Sequence, residues 1–303
     1  MSTITTISPG DISQPKLHHL LLTAVAPRPI CFASTIDQQG QVNLSPFSFF
    51  NVFSSNPPIM VFSPARSGRD NTLKHTLQNI YEVSEVVINI VNHAIVEQMS
   101  LSSTAYDKGV NEFVKAGLTQ VSSDIIKPPR IGEAPVAFEC TVDQVIELGD
   151  HGGAGNLVIA RVVKIHIDQA YLDESGKLDT HKLDLVARMG GSHYCRANGD
   201  ALFEIPKPLR TKGIGVDQLP DHVRNSPVLT GNDLGRLGNI EALPDQDMIA
   251  QSKQSKEIIA ILKSSDSDPS KHINIHHFAK QALADGDPQK ALSILMTLSL
   301  IHI

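Results

Sequence analysis

Residues 27–51 read PRPICFASTIDQQGQVNLSPFSFFN, and this stretch is the most informative about the fold. Its apolar run 29–36 is typical of a strand, and a hairpin-like turn follows in which Gly40 is free to adopt a positive φ. Hydroxyl, amide and phenyl side chains then crowd into one loop, which could hydrogen-bond to a planar polar ring and cover its face. A segment that merely closes a barrel would not need Ser48 and Asn51 on the same turn.

Short runs rich in Val, Ile and Phe continue to about residue 188 and predict further strands. The clearest of these runs are 58–63, 84–91, 134–148 and 156–167. Helical spacing of apolar residues predicts two helices, at 72–82 and 93–102. Because strands and helices do not alternate regularly, a doubly wound sheet is not expected. We expect a mainly β fold with a few helices, built around a closed or partly closed barrel.

The sequence changes character after about residue 198. Proline and glycine punctuate residues 199–247, which predicts an extended arm that is ordered only against another surface. Two helical patterns follow at 248–262 and 276–300, joined by a solvated linker at 264–270, and they resemble a helical hairpin. We therefore predict a barrel in 1–198, an arm in 199–247 and a helical segment in 248–303. One interpretation is that the arm lies over the barrel or a partner subunit and shapes a ligand site. The other is that it only strengthens the packing between subunits.

Composition excludes several classes of function. Lys and Arg number 26 against 32 Asp and Glu, so the net charge of -6 gives no overall attraction to nucleic acid or anionic membranes. Residues 1–14 lack the features of a leader peptide, and no run approaches the roughly 18 apolar residues of a membrane span. The three cysteines, Cys31, Cys140 and Cys195, are too far apart for a disulfide framework or a zinc site. We expect a cytoplasmic protein.

Weaker motifs do not establish a second chemistry. The glycine-rich loop 149–156 lacks the spacing of a phosphate-binding loop and precedes a strand, which favours a hairpin loop. The adjacent pairs His18–His19 and His276–His277 point to different sides with no accompanying Cys or Asp cluster, so no metal site is predicted. An acid at Asp184 and a histidine at His193 lack the nucleophile-elbow pattern of a hydrolase.

The ordered motifs between about residues 15 and 196 resemble the flavin-reductase-like family with the FMN-binding split barrel, including its flavoredoxin-like members. The matching positions in chain order are 27–30, 34–35, 43, 46–51, 57–58, 62–63, 74, 76–77, 79–80, 89, 117–119, 155–156, 188, 190–191 and 194. The resemblance covers about two thirds of the chain. It implies a split β-barrel of Greek-key type and a homodimer that holds FMN near the subunit interface.

The resemblance also implies which residues bind FMN. A buried phosphate needs cations and hydroxyl donors, and the first turns of a helix favour an anion. By position, Lys74 and Thr76 meet the phosphate, and the loop after residue 46 lies along the isoalloxazine ring or the ribityl chain. The full implied set is Arg28, Ser34, Thr35, Ser48, Phe49, Asn51, Ser63, Arg69, Lys74 and Thr76. The family commonly has an acidic residue where this sequence has His75.

The implied reaction is hydride transfer from NADH or NADPH to FMN, followed by electron delivery to a second flavin, an acceptor protein or oxygen. Because this chemistry belongs to the cofactor, no catalytic residue is named. One alternative is a non-enzymatic, FMN-carrying electron-transfer protein, whose flavin face the C-terminal arm could cover. A structural or partner-binding protein that has lost flavin is disfavoured, since the predicted flavin-binding residues are present.

Overall fold

The strands form where Val, Ile and Phe are concentrated, because branched and aromatic side chains pack well on a pleated sheet. The computed structural model describes residues 3–205, 212–264 and 267–298. Its strands are β1 (Cys31–Ile36), β2 (Val42–Phe47), β3 (Phe50–Ser55), β4 (Pro58–Phe62), β5 (Glu85–Ile90), β6 (Gln120–Val121), β7 (Arg130–Ile131), β8 (Val136–Glu147), β9 (Asn156–Ile167), β10 (Leu185–Arg188) and β11 (Tyr194–Ala197).

Helices begin mainly at polar or proline-containing segments, as capping preferences require. They are α1 (Gln14–Ala24), α2 (His75–Glu82), α3 (Val96–Leu101), α4 (Glu112–Ala116), α5 (Thr180–Leu183), α6 (Asp221–Arg224), α7 (Gly231–Gly238), α8 (Gln246–Lys253), α9 (Lys256–Lys263), α10 (Asp268–Ala284) and α11 (Pro288–Met296). Among the described residues, none of these helices has the length and apolar character needed to cross a membrane. The chain divides into two compact units, Met1–Phe203 and Glu204–Ile303.

The main sheet of the first unit has the strand order β2-β1-β5-β8-β9-β4-β3. All of its pairings are antiparallel, and the long hairpin of β8 and β9 lies near the middle. Helix α2 packs on the sheet through Leu77 and Ile80, which join a core that includes Phe62, Ile88 and Val158. This packing fixes the start of α2 relative to the sheet.

The two margins of this sheet are joined by a very short connection. Strands β2 and β3 lie at opposite ends of the strand order, yet only Ser48 and Phe49 separate them in the chain. Because consecutive Cα atoms are about 3.8 Å apart, Phe47 and Phe50 lie within about 11 Å of each other. The sheet therefore curls, and the rings of Phe47 and Phe62 meet with centroids 5.5 Å apart. The predicted mainly β, split-barrel architecture is confirmed.

The second unit has its own hydrophobic core, to which α6, α7, α9, α10 and α11 contribute buried side chains. Ile214 and Gly215 donate backbone hydrogen bonds of 2.8 and 2.9 Å to the carbonyls of Ile240 and Gly238. A Cβ on Gly238 would lie 2.9 Å from the carbonyl carbon of Gly215, so this close approach requires glycine.

The structure differs from the extended arm predicted over residues 199–247. Helices α6 and α7 form within that range, and Val223 and Leu237 are fully buried in the core of the second unit. The single helix expected at 248–262 is two helices, because Ser255 caps a new one by accepting a hydrogen bond from the amide of Ile258. The predicted linker ends earlier, since α10 begins at Asp268. Residues 206–211, 265–266 and 299–303 lie outside the described residues.

Candidate functional site

The connection from β4 to α2, residues 63–74, is held against the loop between β8 and β9, residues 148–155. The amide of Arg66 donates to the carbonyl of Ala154 at 2.8 Å, and the amide of Gly153 donates to the carbonyl of Arg66 at 3.0 Å. The side-chain amide of Asn71 donates to the carbonyl of Asp150 at 2.8 Å. The two loops therefore form one wall beside the start of α2.

Ser63 begins this wall and is almost fully buried. Its hydroxyl accepts a 3.0 Å hydrogen bond from the amide of Asn156, and its own amide donates to the carbonyl of Phe49 at 2.9 Å. A Cβ at Gly155 would lie 2.7 Å from the Ser63 hydroxyl oxygen, so the loop needs glycine there. Ser63 thus connects the wall to the turn that carries Ser48 and Phe49.

Two predicted phosphate-binding cations lie at this wall with their side chains exposed. Arg69 is in the loop and Lys74 is the N-cap residue of α2, where no side chain caps the helix. Within residues 3–205, 212–264 and 267–298, neither cation forms an ion pair with a carboxylate. The first amides of an uncapped helix also attract negative charge. The arrangement is suited to a phosphate group.

Thr76 and Thr35 hold the start of α2 in position from inside. The side-chain amide of Asn43 donates to the Thr76 hydroxyl at 2.8 Å, and that of Asn79 donates to the Thr35 hydroxyl at 3.2 Å. All four side chains are buried, and Thr35 and Asn43 are direct partners across β1 and β2. The observed role of both hydroxyls is to anchor the helix, and direct contact with FMN stays a prediction.

Ser34 is also fully buried in β1, and direct contact of its hydroxyl with FMN likewise stays a prediction. Among the described residues its hydroxyl has no hydrogen-bond partner, and the same is true of the buried Oδ1 atom of Asn156. Buried polar atoms without partners are uncommon in folded proteins. The Asn156 oxygen lies behind the wall, since its amide nitrogen donates to the carbonyl of Pro64 at 2.8 Å.

The predicted ring-binding residues lie on and beside the connection between β2 and β3. Phe49 is 41% exposed, and Asn51 is exposed with its Oδ1 accepting a 2.8 Å hydrogen bond from the amide of Val52. Val52 and Phe53 are also exposed on this marginal strand. Exposed apolar side chains therefore lie on and beside this strand, and contact of Phe49 and Asn51 with a planar ring stays a prediction.

Arg28 differs from the other predicted cations because it is buried and its donors are used internally. Its guanidinium donates to the carbonyls of Leu22, Val25 and Met189, the last two at 2.6 and 3.1 Å. Its Nε donates to the Ser48 hydroxyl over 3.4 Å. Burial lowers the pKa of Arg28, and the neighbouring charge of Arg188 lowers it further. Arg28 thus holds the segment before β1 in place and contacts the Ser48 hydroxyl through its Nε.

Two residues that sequence reasoning did not select flank the start of α2. His75 and Lys108 both line a small cavity beside Asn43 and Asn79. Burial lowers the pKa of His75, and the charges of Lys108 and Lys74 lower it further. The position of His75 between Lys74 and Thr76 was the signal that could have identified it as a site residue. No pattern in the sequence linked Lys108 to His75.

A larger cavity, of about 180 Å³, is lined in part by Ser48. Arg188 and Tyr194 form part of its wall, with the guanidinium carbon 4.6 Å from the centre of the tyrosine ring. Both residues belong to the motif positions noted in the sequence, although neither was selected as a binding residue. The structure therefore brings Ser48 and Arg188 together, while Arg69 and Lys74 lie at the loop wall.

One cluster of groups able to bind a metal occurs among the described residues: Asp124, Glu139 and His166. Protein donors already occupy Glu139, which accepts hydrogen bonds from the amides of Asp124 and Ile125 at 2.7 and 2.8 Å. Nε2 of His166 lies 2.6 Å from its carboxylate, and Asp124 pairs with Lys164. These contacts account for the cluster, so we assign no metal to it.

A curled antiparallel sheet whose two margins are joined by a two-residue connection is the architecture of a split-barrel protein. The flavin reductase like domain model matches residues 24–182, so the chain belongs to the flavin-reductase-like family. An uncharacterized protein of Aquifex aeolicus is 36% identical over 189 residues, which are 62% of this chain and 94% of that protein.

Two solved structures show the same likeness. Nitrilotriacetate monooxygenase component B from Bacillus cereus is 26% identical with a TM-score of 0.63, covering 68% of this chain and all of its own. A Shewanella frigidimarina protein assigned as a flavin reductase with a split barrel domain is 27% identical with a TM-score of 0.56, covering 65% of this chain and 95% of its own. The matches are consistent with the fold derived from the strand order.

Proposed function

We propose that this chain is an FMN-binding oxidoreductase that takes electrons from NADH or NADPH. The proposal rests on one observation: two exposed cations, Arg69 and Lys74, lie beside the uncapped start of α2, and no carboxylate of the described residues pairs with either. A family of flavin reductases supplies the chemical context. Residues 1–198 hold the predicted binding residues in this proposal.

The residues present fit the two ends of FMN. The phosphate would meet Arg69, Lys74 and the first amides of α2, which supply charge and hydrogen-bond donors in one place. The isoalloxazine ring would lie against Phe49 with Ser48 and Asn51 at its polar edge. Ser63 would fix the separation of the two ends, because its amide donates to the carbonyl of Phe49 and its hydroxyl accepts a hydrogen bond from the amide of Asn156, directly after the second loop of the wall.

FMN, when bound, supplies the hydride-accepting and electron-donating chemistry. The chain's own residues bind and orient it. Asn43 and Asn79 hold α2 in place through Thr76 and Thr35, and so position the helix amides. Arg28 holds Ser48 at the margin of the sheet. The electron acceptor in this proposal is a second flavin, an acceptor protein or oxygen.

A homodimer is part of the proposal, because α1 carries apolar side chains that the single chain leaves uncovered. None of its residues is buried, Leu21 is 54% exposed, and Val25 just after the helix is 64% exposed. An isolated surface helix normally buries its apolar stripe. We infer that a second copy of the chain covers it. The three free cysteines support a reducing compartment, in keeping with a cytoplasmic location.

An absorbance spectrum of the purified protein between 350 and 500 nm, with FMN added where needed, tests flavin binding. Anaerobic addition of NADH and then NADPH tests the donor. We expect a bound flavin that bleaches with one of the two nucleotides. A bound flavin that stays oxidised with both would favour the electron carrier instead, and a chain that binds no flavin would contradict the proposal.

A further inference from the structure

The cavity beside Ser48 has the size of a small ring compound. Its volume is about 180 Å³, and an apolar cavity of roughly 150 Å³ accommodates benzene. Ile30, Phe47 and Met99 supply apolar surface to its wall. The space therefore fits one six-membered ring with a small substituent.

The polar side of the cavity is cationic. Arg188 lies in the wall, and its backbone pairs with that of Arg28 through hydrogen bonds of 3.0 and 2.9 Å. Two guanidinium groups thus lie near each other, and in the part of the chain that the structure describes no carboxylate pairs with either. Arg188, the guanidinium in the cavity wall, thus has no carboxylate counter-ion among the described residues, and this favours an anionic ligand.

Arg188 retains donors for that ligand. A guanidinium has five N–H groups, and one of those on Arg188 donates to the carbonyl of Gly191 at 2.6 Å. The stacking on Tyr194 fixes the plane of the guanidinium while leaving its edge able to donate. A planar, oriented guanidinium matches a carboxylate better than a single-point anion. The hydroxyls of Ser48 and Ser103 complete the polar part of the wall.

We propose that this cavity binds a monocyclic aromatic carboxylate, with the carboxylate on Arg188 and the ring between Phe47 and Met99. Ser48 belongs both to this wall and to the predicted flavin surface, so the ligand would lie beside the flavin ring. The identity of the ligand as the substrate of the reaction rests on the proposed function. The binding itself does not.

Isothermal titration calorimetry with benzoate tests the site, and benzamide serves as a neutral probe of the same shape. We expect benzoate to bind and benzamide to bind at least about tenfold more weakly, since a charge-assisted contact is lost. Equal affinity for the two compounds, or no benzoate binding, would overturn the inference. This comparison uses the unaltered protein and stands even where a variant fails to fold.

Arg188→Met keeps the apolar stem and removes the charge, and we expect it to lower benzoate affinity about tenfold or more. Arg130→Met is the matched control, because Arg130 likewise donates to a backbone carbonyl, that of Ser122, but lies elsewhere. An Arg188→Met protein that is folded and binds benzoate as well as the control would refute the site. FMN absorbance is recorded on the same samples. Benzoate binding without FMN binding would contradict only the proposed function, and FMN binding without benzoate binding only this inference.

Discussion

The buried carboxylate of Glu139 lies 2.6 Å from Nε2 of His166, and it also accepts hydrogen bonds from the amides of Asp124, Ile125 and Ile126. One carboxylate on β8 thereby anchors the loop that leads into β7. Burial acts to raise the pKa of Glu139, but these hydrogen bonds outweigh it and lower the pKa to about 2. The charged form is therefore the one that the folded state stabilises.

The first prediction concerns acid stability. Because the pKa of Glu139 is about 2 in the folded state and 4.5 in the reference state, its contribution is complete above pH 4.5 and is lost as pH falls toward 2. The contribution is on the order of 3 kcal/mol. Glu139→Gln should lower the free energy of unfolding at pH 7 and flatten its decline in acid, as measured by urea denaturation. Glu174→Gln, at an exposed residue, should behave like the unaltered chain.

The second prediction concerns Lys74. Lys74→Ala should weaken FMN binding by about 1.5 to 3 kcal/mol, because it removes a charge-assisted contact with the phosphate. Titration of flavin-free protein, followed by flavin fluorescence, measures the loss. The control is Lys177→Ala, which removes an exposed lysine in a different turn. If Lys74→Ala binds FMN as tightly as the control does, the phosphate lies elsewhere.

The third prediction concerns the second unit. His276 is almost fully buried and its Nδ1 lies 2.6 Å from the Ser226 hydroxyl. Burial, with nearby histidines including His222, lowers its pKa from 6.5 to about 4. The unfolded chain therefore takes up a proton that the folded chain does not, and stability falls as pH drops from 6.5 to 4. At about pH 4 the free energy of unfolding is lower by on the order of 3 kcal/mol.

His276→Asn retains an acceptor for Ser226 and removes the titration, so the pH dependence of unfolding in this window should decrease. Circular dichroism at 222 nm during urea unfolding at pH 7, 5.5 and 4.5 measures it. His277→Asn is the neighbouring exposed control and should leave the dependence unchanged. If the free energy of unfolding falls with pH equally in both variants and in the unaltered chain, His276 does not control the loss of stability in acid.

The fourth prediction concerns self-association. Leu21→Asp places a charge on the uncovered apolar side of α1, and burying that charge against a second copy would be costly. Light scattering after size exclusion should show a dimer for the unaltered chain and a monomer for the variant. Lys16→Asp, which alters an exposed polar residue of the same helix, is the control. A monomeric unaltered chain would exclude the dimer.

Much of the barrel could be predicted because its strands are nearly continuous apolar runs. The runs at 84–91 and 156–167 correspond to β5 and β9 within a residue at each end. Helix α7 was missed, although Thr230 and Asp233 form a capping box, each accepting a hydrogen bond from the amide of the other. Gly231 and Gly235 lower helix propensity and obscured that signal.

The candidate site was only partly predictable. The sequence indicated Lys74 as a cation at the start of a helix, and the structure exposes it there. The sequence could not indicate which way the side chains of Ser34 and Thr35 point. Every residue of β1 is buried, so no alternation of polar and apolar residues marks a ligand-facing side of the strand. The pairing of Arg28 with Arg188 joins residues far apart in the chain, which local patterns do not reveal.

The hydrogen bond between Ser63 and Asn156 joins residues 93 positions apart, one at the start of the first loop of the wall and one directly after the second loop. During synthesis from the N-terminus, Lys74 and Arg69 leave the ribosome long before the residues that hold their loop. The hairpins β1–β2 and β3–β4 can form early from local contacts, whereas β4 must wait for β9. The loop wall is therefore assembled only after β9 has emerged, and in the proposed function FMN would bind late in synthesis.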